Sequence, residues 1–336
     1  MTVELRSDTF TTPTPEMRRA MADAEVGDDE YGEDPTVNRL QSLAAGLLGT
    51  EAALYVPSGT MANQLAIRVL SRPGTEVLCP ARSHVHQYEL AASPQNSGVQ
   101  LHPLWDVPDG IAAALEGAQD EFPPVSMLVL ENTYMAMSGA PTGADEMRTL
   151  VGLGRGGKLR VHVDGARIWN ASIATGEPPS ALIGGADTVM FCLSKGLGAP
   201  VGSMLCGTAG VIAEARVQRR RLGGGMRQAG VIAAAGLVAL ETMVERLADD
   251  HVRAQQLADA MASRWPGSVD PVTVRTNIVC ARLAALPDDF IARLAALGVR
   301  TGTIDPRTVR LVTHKDVDDD DITRVIKAFD ELTTGP

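Results

Sequence analysis

Lysine is scarce in this chain, cysteine scarcer in any useful spacing, and a long apolar run is missing altogether. Lysine and arginine together number 30 against 41 acidic residues, for a net charge of −11. A nucleic-acid or anionic-membrane partner would require a basic face, so neither is expected. The four cysteines, at 79, 192, 206 and 280, are far apart and form no CxxC pair. That spacing argues against a metal or redox centre and for reduced, buried thiols. No apolar stretch approaches the length of a membrane span, and the opening "MTVELRSDTF" has no signal core, so a cytoplasmic protein is expected. What remains is ordinary soluble composition, 45% hydrophobic and 21% charged, in 336 residues. That length suits one large and one small lobe, divided here as 1–245 and 246–336.

The shortage of lysine is the most informative. Four lysines, at 158, 195, 315 and 327, stand against 26 arginines. Three lie in polar surroundings. Lys195 follows the apolar run Val189–Leu193 and precedes Gly196-Leu197-Gly198.

The chain around it alternates between strand and helix patterns. Thr14-Pro15 and Asp34-Pro35 each place a capping side chain before a proline at the first helical position, and Gly49 stops the second helix. Short apolar runs ("AALYV", "EVLC", "VQLHPL", "SMLVLEN", "LRVHVD", "DTVMFCLS", "GSMLCG") then alternate with helical patterns, which predicts a mostly parallel sheet covered on both faces. An alanine-rich helical stretch over 228–262, with a break along it, leads to a small α/β lobe. That lobe is expected to hold a strand at 273–282, a helix at 288–297, a strand pair over 299–313 and a last helix near Asp319. The acidic run 318–321 reads as that helix's solvated N-terminus.

A partly buried lysine is pushed toward the neutral amine, a nucleophile for aldehydes such as pyridoxal phosphate; arginine cannot serve because its guanidinium stays protonated. A lysine at a strand end can also simply snorkel to solvent. Its company favours the chemistry. Asp164 ends an apolar strand, where ligands of open α/β sheets bind, and could pair with a pyridine nitrogen. In "YVPSGTMANQLAIRVL", Ser58-Gly59-Thr60 turns a strand into a helix whose first amides suit a phosphate. Gly223–Gly225, flanked by Arg220 and Arg227, suits a phosphate too. His84, with His86 as its rival, follows a strand and could lie on the pyridine face. "GLGRGG" at 152–157 fits a dinucleotide-loop pattern, but a helical pattern precedes it and a strand follows, the reverse of what such a loop needs; it reads as a connecting loop.

Together "ELRSDTFTTPTPEM", "PSGTMANQLA", "HVDGARIWNA", "CLSKGLGAPVGSMLCG", "GGGMRQAG" and "VRLVTH", in order and over nearly the full length, resemble the low-specificity L-threonine aldolases. These are pyridoxal-phosphate enzymes of the aspartate-aminotransferase-like fold (fold type I). The resemblance implies α/β architecture, a large mostly parallel sheet domain with a smaller C-terminal one, and a homotetramer with shared active sites. It implies Lys195 as the Schiff-base lysine beside Ser194, Asp164 as the pyridinium partner and His84 as the ring-stacking group. Ser58, Gly59 and Thr60 would hold the phosphate, with Arg220 and Arg227 helping from a neighbouring subunit. Ser7, Arg167 and Arg310 would clamp the substrate carboxylate, with His86 near the substrate. One position departs: where many of these enzymes have histidine after "ENT", this chain has Tyr134. Tyrosine titrates near 10 and is a poor base at neutral pH. Either His84, His86 or a water takes the β-hydroxyl proton, or the substrate differs from threonine. The expected reaction is cleavage of an L-β-hydroxy-α-amino acid to glycine and an aldehyde. The alternatives are a related lyase, transaldolase or transaminase on another β-substituted amino acid, and a cofactor-binding regulatory protein without turnover.

Overall fold

The computed structural model describes residues 2–116 and 123–334. Its strands are β1 (Val3–Leu5), β2 (Ala52–Val56), β3 (Glu76–Pro80), β4 (Gln100–Leu104), β5 (Val125–Glu131), β6 (Arg160–Asp164), β7 (Thr188–Cys192), β8 (Ser203–Gly207), β9 (Ile278–Arg282), β10 (Val299–Asp305) and β11 (Thr308–Val312). Among the described residues, seven form one sheet in the order β2-β8-β7-β6-β5-β3-β4. The neighbours from β7 through β6, β5 and β3 to β4 are parallel, and β8 pairs antiparallel with both β7 and β2. Every residue of β7 and β8 is buried, as near-continuous apolar runs require when helices cover both faces.

Both proline-led helices form as the sequence dictates. Thr14 Oγ1 accepts from Met17 N ahead of Pro15–Ala22, and Asp34 Oδ1 accepts from Val37 N ahead of Pro35–Leu48. The alanine-rich stretch does break, into Gly230–Thr242 and Leu247–Arg264. Three of the cysteines are buried and all four are free. No helix among the described residues is long and apolar enough to cross a membrane.

Beyond residue 250 the chain builds a second core, in which Val3 and Leu5 pack with residues 254–332. Its sheet runs β1-β10-β11-β9, so the N-terminal strand is inserted beside β10 rather than into the large sheet.

Three local expectations need correction. The strand foreseen over 273–282 starts only at Ile278, because Pro271–Thr273 form a short 3-10 turn and the buried Thr276 and Asn277 side chains bond to the Gly139 and Thr313 carbonyls. The helix foreseen over 288–297 is Phe290–Ala296, since Asp289 takes a positive φ of 55°. The glycine-rich "GLGRGG" is mostly helix rather than loop: Ala144–Gly156 continues through it, with Gly154 turned inward against Leu128 and Val161.

Candidate active site

The parallel strands end level with one another. Glu131, the last residue of β5, pairs with Asp164, the last of β6, which pairs with Met190 of β7. Lys195 lies just beyond β7, and His84 opens a short helix (His84–Gln87) just beyond β3. Residues chosen from separate motifs are thus gathered at the carboxyl ends of the strands, where open α/β sheets bind ligands. Lys195 Nζ has no hydrogen-bond or ion-pair partner among the described residues; only its carbonyl is engaged, accepting from Thr11 Oγ1 at 2.9 Å.

Asp164 is buried. Its Oδ1 accepts from Ala166 N at 3.1 Å and its Oδ2 from Asn63 Nδ2 at 2.7 Å, which leaves lone pairs for a further donor. The same Asn63 Nδ2 donates to Glu89 Oε1 at 2.8 Å. Glu89, also buried, accepts from Gln64 Nε2 through Oε2 and faces His84 Nδ1 across 2.8 Å through Oε1. The carboxylates and imidazole of Asp164, Glu89 and His84 each bring a polar atom within 4.8 Å of the others. Burial works against the imidazolium of His84. The Glu89 hydrogen bond and the Asp164 charge outweigh it, and its pKa is raised.

Just beyond β2, at the same carboxyl ends, Ser58 Oγ accepts from Met61 N and caps the helix Gly59–Leu70. The Gly59 and Thr60 amides have no acceptor among the described residues. A Cβ on residue 59 would meet Cys192 Sγ and Met190 Cε at 2.9 Å, so only glycine lets this helix start so close to β7. The glycine loop approaches the same turn, since a Cβ on Gly224 would sit 2.4 Å from Met61 Sδ. Its arginines, within this chain, point elsewhere. Arg227 pairs with Asp28 and Glu30, and Arg220 reaches Glu30 at 3.7 Å. Ser194 is half-buried beside Lys195.

The three residues of the expected carboxylate clamp converge on the segment Arg6–Asp8. Arg310 Nη2 donates to the Arg6 carbonyl at 2.9 Å; its Nη1 faces only Met135 Sδ, and its buried Nε has no partner. Arg167 spends two of its donors on the buried Asp8, Nε and Nη2 both at 2.7 Å. Asn277 Nδ2 adds a longer bond to the same carboxylate. Burial lowers the pKa of Arg310, and the nearby Arg167 charge lowers it further. Two guanidiniums around one carboxylate leave positive charge for an incoming anion. Ser7 stands next to Asp8 and accepts from Thr9 N and Thr9 Oγ1.

Tyr134 is half-buried on a loop fastened from beneath by Glu131. That carboxylate accepts from His84 N at 2.8 Å and from Met135 N at 3.0 Å. Burial, then the Asp164 charge, pushes Glu131 up to about 7. Burial and Glu131 in turn hold the Tyr134 phenol above its ordinary range, so it stays protonated at neutral pH. His86 is exposed, its Nδ1 against the Ala81 carbonyl at 2.8 Å, and makes no bond to Lys195, Asp164 or His84.

An amine without a partner, a buried carboxylate with spare lone pairs, an imidazole and open helix-terminal amides make a donor set that fits pyridoxal phosphate. The beta-eliminating lyase family model matches residues 4–284. The chain belongs to that family. Among its relatives are the probable low-specificity L-threonine aldolase 2 of Arabidopsis thaliana, 38% identical over 98% of this chain and 97% of its own, and the low specificity L-threonine aldolase of Escherichia coli K12, 36% identical over 96% and 97%. The solved threonine aldolase of Leishmania major superposes with a TM-score of 0.84 at 18% identity, covering 99% of this chain and 100% of that one. The fold is aspartate-aminotransferase-like.

Five buried residues of this family member were not foreseen as site residues: Asp8, Asn63, Glu89, Glu131 and His162. Glu131 carried the mark that singled out Asp164, a carboxylate closing an apolar strand. Asp8, Asn63 and His162 lie inside motifs already noted. Glu89 gave no signal of its own, because its role depends on what lies across from it.

Proposed function

We propose that the protein cleaves L-threonine, L-allo-threonine or a related L-β-hydroxy-α-amino acid to glycine and an aldehyde, with pyridoxal phosphate as cofactor. The observation that carries this reading is the placement of the unpartnered Lys195 amine just beyond β7 and of the buried Asp164 carboxylate at the end of the adjacent β6, in a chain 36–38% identical to proteins named low-specificity L-threonine aldolase. When bound, the cofactor supplies an aldehyde carbon and a ring that withdraws electrons from the substrate's α-carbon.

Lys195 would hold the cofactor through Nζ. Asp164 would keep a proton on the ring nitrogen, His84 would cover the ring, and the Gly59 and Thr60 amides, capped by Ser58, would hold the phosphate. Arg310, with its free donor, and Arg167 would bind the substrate carboxylate beside Ser7 and so orient the Cα–Cβ bond. The β-hydroxyl proton must leave as that bond breaks. Tyr134 holds its own proton too tightly to take it. His84 Nε2, or a water on it, remains, since Nδ1 is engaged by Glu89.

That assignment has a pH signature. Glu89 favours the imidazolium, so the His84 pKa lies above its ordinary 6.5 and the group accepts a proton only above that raised value. The acid limb of the kcat/KM profile is expected above pH 6.5, and Glu89→Gln should move it to lower pH. An unmoved limb in a pH-rate series on the variant would remove His84 from this role.

A screen of amino acids for glycine release tests the function. Glycine and an aldehyde from threonine, allo-threonine or β-phenylserine are expected. Keto acid or ammonia instead would favour the related lyase or transaminase reading that Tyr134 keeps open, and no turnover would favour a regulatory role. The proposal extends to a cytoplasmic homotetramer with shared active sites. It extends also to a division into 1–245 and 246–336, with β1 of the first part packed in the second core.

A further inference from the structure

The functional reading leaves the hub of the buried network without a role. We propose that Asn63 is a positioning residue, whose amide clamps the Asp164 and Glu89 carboxylates together and so couples the group facing the cofactor's ring nitrogen to the group that orients His84. The inference rests on the reading above.

Both hydrogens of Asn63 Nδ2 are spent on carboxylates, at 2.7 Å on Asp164 Oδ2 and 2.8 Å on Glu89 Oε1. Both acids are buried, so without a donor between them two like charges would face each other in a poorly screened interior. The amide also has an enforced direction. Asn63 Oδ1 lies 3.0 Å from His162 Nε2, and His162 Nδ1 lies 2.8 Å from Thr188 Oγ1. Burial pushes His162 down to about 4, so the ring is neutral at physiological pH. One tautomer satisfies both contacts: Nε2–H donates to Asn63, and Nδ1 accepts from the Thr188 hydroxyl. Turned over, Asn63 would present an oxygen to two carboxylates. The two carboxylates therefore fix the direction of the amide, the His162–Thr188 layer meets its Oδ1 with an N–H, and Asn63 holds the two acids.

Without the amide the two carboxylates repel each other and separate, which loosens the Glu89 Oε1 contact on His84 Nδ1. His84 faces Asp164, Glu89, Glu131 and Lys195, and the Glu89 hydrogen bond is the largest of the influences that raise it. The His84 titration then moves down.

The test is an NMR titration of His84 in cofactor-free Asn63→Ala protein, beside a fluorescence titration with pyridoxal phosphate and a thermal melt. A midpoint lower by about one pH unit and cofactor affinity weakened by about tenfold, with melting close to the parent, are expected. A His84 midpoint that is unchanged or raised overturns the proposal, even where cofactor affinity falls, because Asn63 would then only fill space. If Asn63→Ala does not fold, His162→Phe keeps the amide but removes the donor that braces its Oδ1, and a smaller downward move is expected. Failure of both variants to fold would assign Asn63 a purely structural part and overturn the proposal. Parent protein that does not bind pyridoxal phosphate would sink the functional reading, while the His84 titration, which needs no cofactor, would still decide the clamp.

Discussion

Lys195→Ala protein is expected to stay colourless when pyridoxal phosphate is added and to lose turnover by a factor on the order of 10⁴ or more. The reason is chemical: no other residue in the site offers an amine. Lys195→Arg should fail as completely, because a guanidinium does not lose its proton and cannot attack an aldehyde carbon. The fold should survive either change. The Lys195 side chain is only half-buried and its amine has no partner to abandon, so a melting temperature near the parent's is expected. Borohydride reduction of the parent with the cofactor should leave a label on the peptide containing residue 195. Full turnover in the variant, or a label on Lys158, Lys315 or Lys327 instead, would end the assignment.

The part of this site that was legible in the sequence is the part carried by short, local patterns. A lysine among arginines after an apolar strand, a carboxylate ending the strand before it, and a Ser-Gly-Thr turn into a helix each advertise themselves within a few residues. The fold was legible for a related reason, since buried parallel strands and capped helices repeat on a scale that a reader can scan. What was not legible depends on register. Asn63 lies on a helix whose pattern reads as apolar, and only its placement opposite β6 gives it Asp164 and His162 as partners. Glu89 follows His84 closely but shows no periodic relation to it. The break in the strand foreseen at 273–282 has the same origin: Thr276 and Asn277 are diverted to partners distant in the chain, the Gly139 and Thr313 carbonyls. "GLGRGG" misled differently. Glycine lowers helix propensity by about 1 kcal/mol per residue, yet burial of the surrounding face, including Val151 and Gly154, outweighs it.

The same dependence on distant partners makes Asp8 a sensitive structural position. Asp8→Ala is expected to cost about 3–5 kcal/mol of stability, because it leaves the buried Arg167 guanidinium with no counter-charge. Asp8→Asn, which keeps the shape but not the charge, should cost less. Burial alone would raise the Asp8 carboxyl; the Arg167 charge and its paired hydrogen bonds overcome that and hold it well below the usual carboxylate range. A group with a depressed pKa contributes its stability fully above the unfolded value of about 3.9 and loses it as the pH falls toward the folded one. The gap between parent and Asp8→Asn in urea melts should therefore be constant from neutral pH to about 5 and narrow below about 4. A gap that stays the same at pH 3 would mean the ion pair contributes nothing through charge. Substrate binding should suffer in both variants, and beyond what stability explains. Asp8 fixes the direction of Arg167, and with Asn277 it holds that guanidinium beside Arg310. KM for threonine should rise in Asp8→Asn while the cofactor, which Lys195 and Asp164 would hold, stays bound.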